Sequence, residues 1–235
     1  MNKNEDARAQ WVGKQLRALQ AGSSILDVGA GECQYKPFCD HLRYVAQDVA
    51  VYDGKGDQSG LQTGNWDFSQ IDIRCDLLDI PEDVSYDAVL CTEVLEHVPD
   101  PVAALERLVR LTADGGTLII TAPFWSMTHF APYHYATGFS RFFYRHHLER
   151  LGCEIVLLEA NGGYFDFLEQ ELGRTAHTYR KYTKTKLSFV KREILKLATK
   201  IARAAAADDG EALNRRSSEL MTLGWHVVAR KLPAR

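Results

Sequence analysis

The sequence predicts an α/β fold built on a mainly parallel sheet with helices on both faces. Short, almost wholly apolar runs alternate with amphipathic helical patterns through the first two-thirds of the chain, as expected for strands that are buried on both faces. A glycine-rich turn follows the first of these runs, where a parallel sheet leaves room beyond its carboxyl edge. The 235 residues are enough to bury the core of one such domain with an elaboration.

Seven strands are predicted in order along the chain. The first is 25–28, the second (RYVAQDV) ends at Asp48, and the third ends near Asp76. The fourth covers Tyr86–Cys91, and the turn Asp114-Gly115-Gly116 leads into the fifth, TLIITAP. The segments CEIVLLEA and LGWHVVARK are predicted to be the sixth and seventh strands.

Helices are predicted before and between these strands. A leading helix covers residues 5–20, where four apolar side chains recur near helical spacing. Two more cover 101–112, with Pro101 in the first turn, and 140–151. Residues 50–70 are rich in Gly, Asp, Gln and Ser, so a long loop is predicted there.

The segment 163–220 is predicted to be a helical insertion before the last strand. An apolar stripe from Leu187 to Ala205 predicts one long amphipathic helix, which Asp208-Asp209-Gly210 should end. Residues 164–207 contain ten Lys or Arg and four Asp or Glu, whereas the whole chain carries a net charge of -3. The basic residues are therefore concentrated on this insertion.

The overall composition argues against several classes of protein. The net charge gives no reason to expect nucleic-acid binding. The five cysteines are scattered and form no C-x-x-C pair, which argues against a disulfide framework or a zinc site and favours a reducing cytosol. The N-terminus has no apolar signal-peptide core, and no apolar run reaches about 18 residues. We therefore expect a cytoplasmic protein.

Acidic residues follow the predicted strands in succession. Asp27 precedes the turn Gly29-Ala30-Gly31, Asp48 ends the second strand, and Asp76 follows the third. The glycines let the backbone approach a ligand closely, and the three carboxylates suit an amino group, two ribose hydroxyls and the adenine amino group, respectively. For Asp48 or Asp76 alone, the alternative is a strand-end cap. Because Glu32 would repel phosphates, a dinucleotide is disfavoured.

Five segments closely resemble successive motifs of the class I S-adenosylmethionine-dependent methyltransferases: ILDVGAGEC, YVAQD, CDLLDIP, YDAVLCTEVLEHVPDP and LTADGGTLIITAPF. They are most similar to the small-molecule branch whose fourth motif reads V-L-E-H-V-x-D-P. The resemblance covers residues 23–160, and LGWHVVARK resembles the last strand of that fold. Two departures stand out. Cys33 replaces the third glycine of the first motif, and the 28 residues from Asp48 to Asp76 are more than usual.

The resemblance implies a Rossmann-like, seven-stranded sheet whose last strand is antiparallel, within a single domain of residues 1–235. It implies S-adenosyl-L-methionine as cofactor and S-adenosyl-L-homocysteine as product. Cofactor contacts are expected at ten positions at the strand ends. These are Asp27, Gly29, Gly31, Asp48, Val49, Asp76, Leu77, Cys91, Thr92 and Glu93.

The segment after the fifth strand is the predicted acceptor side. Residues 124–144 include nine aromatic residues together with His129 and His134, which suits a pocket wall with a base. The alternative is an aromatic core with histidines bonded to the backbone. Either histidine is a candidate catalytic base. His97 is expected to order the turn after strand four, and the alternative is that it faces the cofactor. No metal is expected, because neither His129 with His134 nor the pair His146-His147 has a carboxylate at ligand spacing.

We expect an O-methyltransferase that acts on a small-molecule or glycan-type hydroxyl, which can be anionic. An N-methyltransferase for a small amine and a non-catalytic cofactor-binding protein are the alternatives. A nucleic-acid methyltransferase is disfavoured, because Cys91-Thr92-Glu93-Val94 stands where base-amino enzymes carry a Pro-Pro-aromatic stretch. The basic insertion has three interpretations: a lid or acceptor-side cap, a surface that attracts an anionic acceptor, or a contact with an anionic membrane or a partner. The oligomeric state stays open.

Overall fold

The chain divides into two compact units in a computed structural model that describes residues 3–208 and 212–233. The first unit consists of Met1–Glu159 and Gly224–Arg235, and the second is Ala160–Leu223. The second unit contains the predicted insertion, whose proposed role as a lid or acceptor-side cap stays a prediction.

A seven-stranded sheet runs in the order β3-β2-β1-β4-β5-β7-β6. The strand pairs from β3 to β5 are parallel, and β7 pairs antiparallel with β5. The predicted Rossmann-like fold with an antiparallel last strand is therefore confirmed. The strands are β1 (Ser24–Val28), β2 (Arg43–Asp48), β3 (Ile73–Arg74), β4 (Tyr86–Thr92), β5 (Thr112–Pro123), β6 (Cys153–Asn161) and β7 (Gly224–Lys231).

Chain order reverses between β1 and β4, since β2 and β3 lie on one side of β1 and β4 and β5 on the other. Parallel sheets open a crevice at the carboxyl ends of the strands at such a point. The centre of the sheet is apolar, because Leu26, Leu90 and Ile119 on three neighbouring strands are fully buried. This core fixes the strand ends that border the crevice.

Six α-helices are described. Asp100 caps the second of them through the amides of Val102 and Ala103, with Pro101 in the first turn as predicted. The first helix begins and ends earlier than predicted. The helices are α1 (Lys3–Arg17), α2 (Pro101–Leu111), α3 (Arg141–Arg150), α4 (Tyr164–Thr183), α5 (Phe189–Ala206) and α6 (Ala212–Ser217).

The turn predicted at Asp114-Gly115-Gly116 is wrong, because these residues lie inside β5. Tyr86 pairs with Thr112, but Ala88 already pairs with Thr117. The additional residues of β5 form a bulge there. Gly115 takes a positive φ of 78°, so the local glycine signal reflects a bulge and not a chain reversal.

The second unit contains three helices in its described residues where one long helix was predicted. Lys184, with a φ of 57°, ends α4 in the left-handed conformation, and Ser188 caps the start of α5. Arg203 Nε donates to Glu169 Oε1 at 2.7 Å between these helices. The helix break predicted at Asp208-Asp209-Gly210 falls partly outside the described residues. In the part of the chain that is described, no helix is both long and apolar enough to cross a bilayer.

Candidate active site

A cavity of about 270 Å³ opens at the carboxyl ends of the strands in the first unit. It borders the ends of β1, β2 and β4 and the segments that follow β3 and β5. Its volume is close to the roughly 300–1,000 Å³ of small-molecule sites. Six of the ten predicted cofactor positions line it: Gly29, Asp48, Val49, Asp76, Leu77 and Glu93.

The turn after β1 needs glycine at two positions. Gly29 and Gly31 have φ values of 68° and 56°, which favour glycine. A Cβ on Gly29 would lie 2.3 Å from Val94 Cγ2, and one on Gly31 would lie 2.6 Å from Trp66 Cζ3. The two glycines therefore leave room for Val94 and Trp66, which line the cavity. Gly31 itself does not belong to the described lining.

Asp48, the last residue of β2, connects the turn after β1 to the backbone that follows β2. Its Oδ2 accepts a hydrogen bond from the Gly31 amide at 3.0 Å, and its Oδ1 accepts one from the Ala50 amide at 2.7 Å. The side chain is nearly buried but lines the cavity. A carboxylate held in this way keeps further lone pairs for ligand hydroxyls.

Asp27 lies beneath the turn, and the described residues that line the cavity do not include it. Its Oδ2 accepts a hydrogen bond from the Tyr44 hydroxyl at 2.6 Å, whereas its Oδ1 accepts none from any described residue. Burial raises the pKa of Asp27 to about 7, while the Tyr44 hydrogen bond opposes this rise. Its role toward the amino group of a ligand stays a prediction.

Asp76 and Leu77 border the cavity after β3. Asp76 is exposed, and its Oδ1 accepts a hydrogen bond from the Leu78 amide at 2.9 Å. It therefore caps a short 3-10 turn, Leu77–Asp79. The capping role and a ligand contact are compatible, because one carboxylate has several acceptor sites.

The residues after β4 divide between the core and the cavity. Cys91 and Thr92 are buried and do not belong to the described lining, whereas Glu93 does. Glu93 Oε2 lies 2.9 Å from Arg8 Nη1, and Thr121 Oγ1 donates to Glu93 Oε1 at 3.0 Å. The negative charge at this end of the cavity is therefore already paired.

The long loop between β2 and β3 supplies part of the cavity wall, which the sequence analysis did not predict. Its aromatic residues Tyr52, Trp66 and Phe68 line the cavity. The loop is joined to the segment after β5, since the Leu61 amide donates to the Thr128 carbonyl and the Phe130 amide to the Leu61 carbonyl. The presence of aromatic residues in a segment otherwise rich in Gly and Asp is the sequence signal that could have predicted this role of the loop.

The acceptor side contains the predicted aromatic residues. Phe130, Tyr133 and Tyr135 line the cavity. The ring centroids of His129 and His134 are 4.8 Å apart, and the described lining does not include these two histidines. Their role as catalytic bases stays a prediction.

The two histidines differ in their hydrogen bonds. His129 Nδ1 donates to the Met127 carbonyl at 2.8 Å, and His134 Nε2 lies 3.1 Å from Ser126 Oγ. Burial lowers the pKa of His134, and so does neighbouring His129. A neutral His134 can accept a proton through Nε2, either directly or through the serine hydroxyl.

Glu96 is a buried carboxylate that the sequence analysis did not single out. It is fully buried, and its Oε1 lies 3.8 Å from His97 Nε2 and 4.0 Å from His129 Nε2. Burial, and then the charge of Glu93, raise the pKa of Glu96 well above its ordinary value. Burial lowers the pKa of His97 to about 3.

His97 both orders the turn and reaches the cavity. Its Nδ1 donates to the Tyr133 carbonyl at 2.5 Å, so it ties the turn after β4 to the loop after β5. This agrees with the structural role predicted for it. The same side chain also lines the cavity, as the alternative role, facing the cofactor, requires.

The model of a methyltransferase-domain family matches residues 3–158, more than half of the chain. The ubiquinone biosynthesis O-methyltransferase of Paraburkholderia phytofirmans is 30% identical over 116 residues, which are 46% of this chain and 47% of that protein. The chain thus spans about half the length of the curated relatives that it matches.

Solved structures share the fold of this chain. A SAM-dependent methyltransferase from Archaeoglobus fulgidus has a TM-score of 0.54 at 15% identity, covering 95% of this chain and 94% of that one. Phosphoethanolamine N-methyltransferase 2 of Haemonchus contortus, in complex with S-adenosyl-L-methionine, has a TM-score of 0.51 at 16% identity, covering 97% and 52%. With the family match, the strand order and the strand-end cavity, the chain belongs to the class I S-adenosyl-L-methionine-dependent methyltransferases.

Proposed function

We propose that this chain transfers a methyl group from S-adenosyl-L-methionine to a hydroxyl of a small-molecule or glycan-type acceptor. The observation that carries the proposal is one continuous cavity. It extends from the strand-end residues Gly29, Asp48 and Asp76 to the aromatic wall at Phe130 and Tyr135. Curated relatives that act as O-methyltransferases support a hydroxyl as acceptor.

The cofactor end of the cavity fits a sulfonium nucleoside. Asp48 has acceptor sites for ribose hydroxyls beside its two backbone amides. Asp76 and Leu77 lie where the adenine amino group is expected, and Trp66 and Phe68 offer flat apolar faces. S-adenosyl-L-methionine supplies an electrophilic methyl group on a positively charged sulfur.

The acceptor end has to orient an oxygen and remove its proton. The acceptor oxygen forms a bond to the methyl carbon, the carbon–sulfur bond breaks, and sulfur keeps the electron pair. The hydroxyl proton goes to a histidine, for which His134 and His129 are our candidates. The aromatic wall excludes water and positions the acceptor in line with the departing sulfur.

One observation favours an amine acceptor as the second candidate. Neither His129 nor His134 belongs to the described lining of the cavity. A neutral amine attacks without prior loss of a proton, so it needs no adjacent base. The two candidates differ in whether these histidines matter for turnover.

Both candidates can be tested with labelled S-adenosyl-L-methionine and a panel of hydroxyl and amine acceptors. For a hydroxyl acceptor, His134→Gln and His129→Gln should together lower kcat by about 100-fold or more and leave S-adenosyl-L-homocysteine binding intact. His146→Gln is the matched control on the exposed part of α3. Full turnover in the double variant would contradict a histidine base, and no turnover on any acceptor would favour a binding protein.

We further propose that α5 rests on an anionic membrane surface. Four apolar side chains of α5, Val190, Ile194, Leu197 and Ile201, are 59–65% exposed, at a spacing that places them on one helix face. The helix has five Lys or Arg and one Glu. A second copy of this basic helix would repel the first, whereas acidic lipid headgroups would attract it.

Sedimentation with vesicles tests this contact. We expect binding to phosphatidylglycerol vesicles, weaker binding in high salt, and little binding to phosphatidylcholine vesicles. The double variant Ile194→Glu/Leu197→Glu should abolish binding, whereas Leu220→Glu, at an exposed position outside α5, should not. Vesicle binding by the double variant equal to that of the wild type would contradict the proposal. Dimerisation through α5 would contradict it too, and so would binding of a soluble anionic acceptor without binding of vesicles.

A further inference from the structure

Three side chains from two segments of the first unit meet beside the cavity. Glu96 and His97 belong to the turn after β4, and His129 belongs to the loop after β5. One ligand atom from each lies within 4.8 Å of the others. No carboxylate lies at ligand spacing from His129 along the sequence, but the fold places Glu96 near it.

Both histidines are oriented by their second ring nitrogen. His97 Nδ1 donates to the Tyr133 carbonyl, and His129 Nδ1 donates to the Met127 carbonyl. Each ring is therefore held with Nε2 toward Glu96, and a neutral imidazole that donates through Nδ1 has its lone pair on Nε2. Metal-bound histidines in proteins are typically held by such an outer hydrogen bond.

The carboxylate of Glu96 lacks a compensating partner in the described part of the chain. The side chain is fully buried, and neither of its oxygens accepts a hydrogen bond from a described residue. Arg8, whose charge opposes the rise in the pKa of Glu96, is itself paired with Glu93 at 2.9 Å. Burial makes the ionised form of Glu96 costly, and a cation bound beside it would offset that cost.

We propose that Glu96, His97 and His129 bind a divalent transition-metal ion such as Zn²⁺. Two imidazole nitrogens and one carboxylate oxygen form a ligand set that suits this class of ion, and three protein ligands leave a further coordination position open. Because His97 also lines the cavity, the ion lies at its acceptor end.

The inference rests on the proposed function in one respect: the open position would take the acceptor oxygen. His129 then acts as a ligand, and His134 alone stays as the candidate base of the O-methyltransferase. Binding of the ion itself does not depend on methyl transfer. The two claims can therefore fail separately.

Cobalt(II) is a suitable probe, because its visible spectrum reports nitrogen and oxygen ligation at a low coordination number. The full chain is stripped with a chelator and titrated with Co²⁺, and Zn²⁺ competition follows the loss of the signal. We expect one equivalent per chain. Glu96→Gln and His129→Gln should weaken binding by at least about 100-fold, since loss of an outer-shell partner alone costs about 10- to 100-fold.

His147→Gln is the matched control, because His146 and His147 are also neighbouring histidines, with ring centroids 4.9 Å apart. It should bind Co²⁺ as the wild type does. S-adenosyl-L-homocysteine binding, measured in parallel, shows that each variant is folded. Absence of a Co²⁺ spectrum in the wild type, or equal binding by folded Glu96→Gln, would overturn the metal site.

Turnover separates the metal site from the proposed function. Methyl transfer that survives chelation, without a Co²⁺ signal, would overturn the metal site and leave the methyltransferase proposal standing. A Co²⁺ spectrum that depends on Glu96, in a protein that methylates no acceptor, would support the metal site and contradict the proposed function.

Discussion

The carboxylates at the two ends of the cavity differ in their hydrogen bonds and charge pairing. At the cofactor end, Asp48 accepts two backbone hydrogen bonds, and Glu93 is paired with Arg8. At the acceptor end, Glu96 is fully buried, and no described residue donates a hydrogen bond to it. The carboxylates at the proposed cofactor end therefore have partners among the described residues, whereas the buried carboxylate at the proposed acceptor end accepts no hydrogen bond from them.

Asp27 lies between these extremes and gives the largest expected effect. With a folded pKa of about 7 against an ordinary value of 3.8, the folded state keeps a proton that the unfolded state loses above about pH 4. Its contribution to stability therefore falls as the pH rises from about 4 to 7, by about 1.4 kcal/mol per unit. The total is on the order of 4 kcal/mol.

Asp27→Asn should remove this pH dependence. Urea unfolding of the wild type and of the variant should show the variant gaining relative stability with rising pH up to about 7. A difference between the two proteins that stays constant across this range would contradict the raised pKa of Asp27. Asp27 would then no longer be intermediate between the carboxylates at the two ends of the cavity.

Gly29→Ala should break the cofactor end. Its Cβ would overlap Val94, which lines the cavity, on top of the strain of a positive φ. We expect S-adenosyl-L-homocysteine binding to weaken by about 100-fold, or about 2.7 kcal/mol. Gly22→Ala is the control, since Gly22 has a φ of 83° but nothing within 4 Å of its Cβ. If both variants bind S-adenosyl-L-homocysteine equally well in calorimetry, the close contact between Gly29 and Val94 is not needed for cofactor binding.

Asp48→Asn tests whether the charge at the cofactor end matters. The amide oxygen keeps one acceptor, but the variant loses charge-assisted hydrogen bonds, so we expect cofactor binding to weaken by about tenfold. Asp53→Asn is the matched control. Asp53 also accepts hydrogen bonds from two backbone amides, those of Lys55 and Gly56, but does not belong to the described lining. Equal affinities of the two variants would contradict the assignment of Asp48.

Trp66→Ala should give the smallest effect. Trp66 packs against Tyr52 and Phe130 at centroid distances of 5.9 and 5.3 Å, and its loss removes an aromatic wall worth about 1 kcal/mol. Cofactor affinity should therefore fall by about fivefold. Trp125→Ala, at an exposed position outside the described lining, should leave the affinity unchanged in the same titration.

The strand-end residues could be predicted from sequence because they depend on local patterns. An apolar run followed by Asp48, or by Gly29 and Gly31, marks where a parallel strand ends. The resemblance to a methyltransferase family then predicts that these strand ends contact one ligand. The structure confirms the sheet and the antiparallel β7.

The other parts of the site depend on contacts between distant segments. Glu96 meets His129 only because β4 and β5 are adjacent and parallel, and no spacing along the chain reveals that contact. Trp66 reaches the cavity because its loop pairs with the segment after β5, through Leu61 and His129. Side chains that approach each other from different loops cannot be found by periodicity.

A crystal structure with S-adenosyl-L-homocysteine tests the central claim most directly, namely that the strand-end residues hold the cofactor without a metal ion. We predict that the ligand binds without added metal, with its ribose hydroxyls on the Asp48 carboxylate and its adenine beside Asp76 and Leu77. A ligand bound elsewhere, or a ribose that contacts neither oxygen of Asp48, would contradict the account.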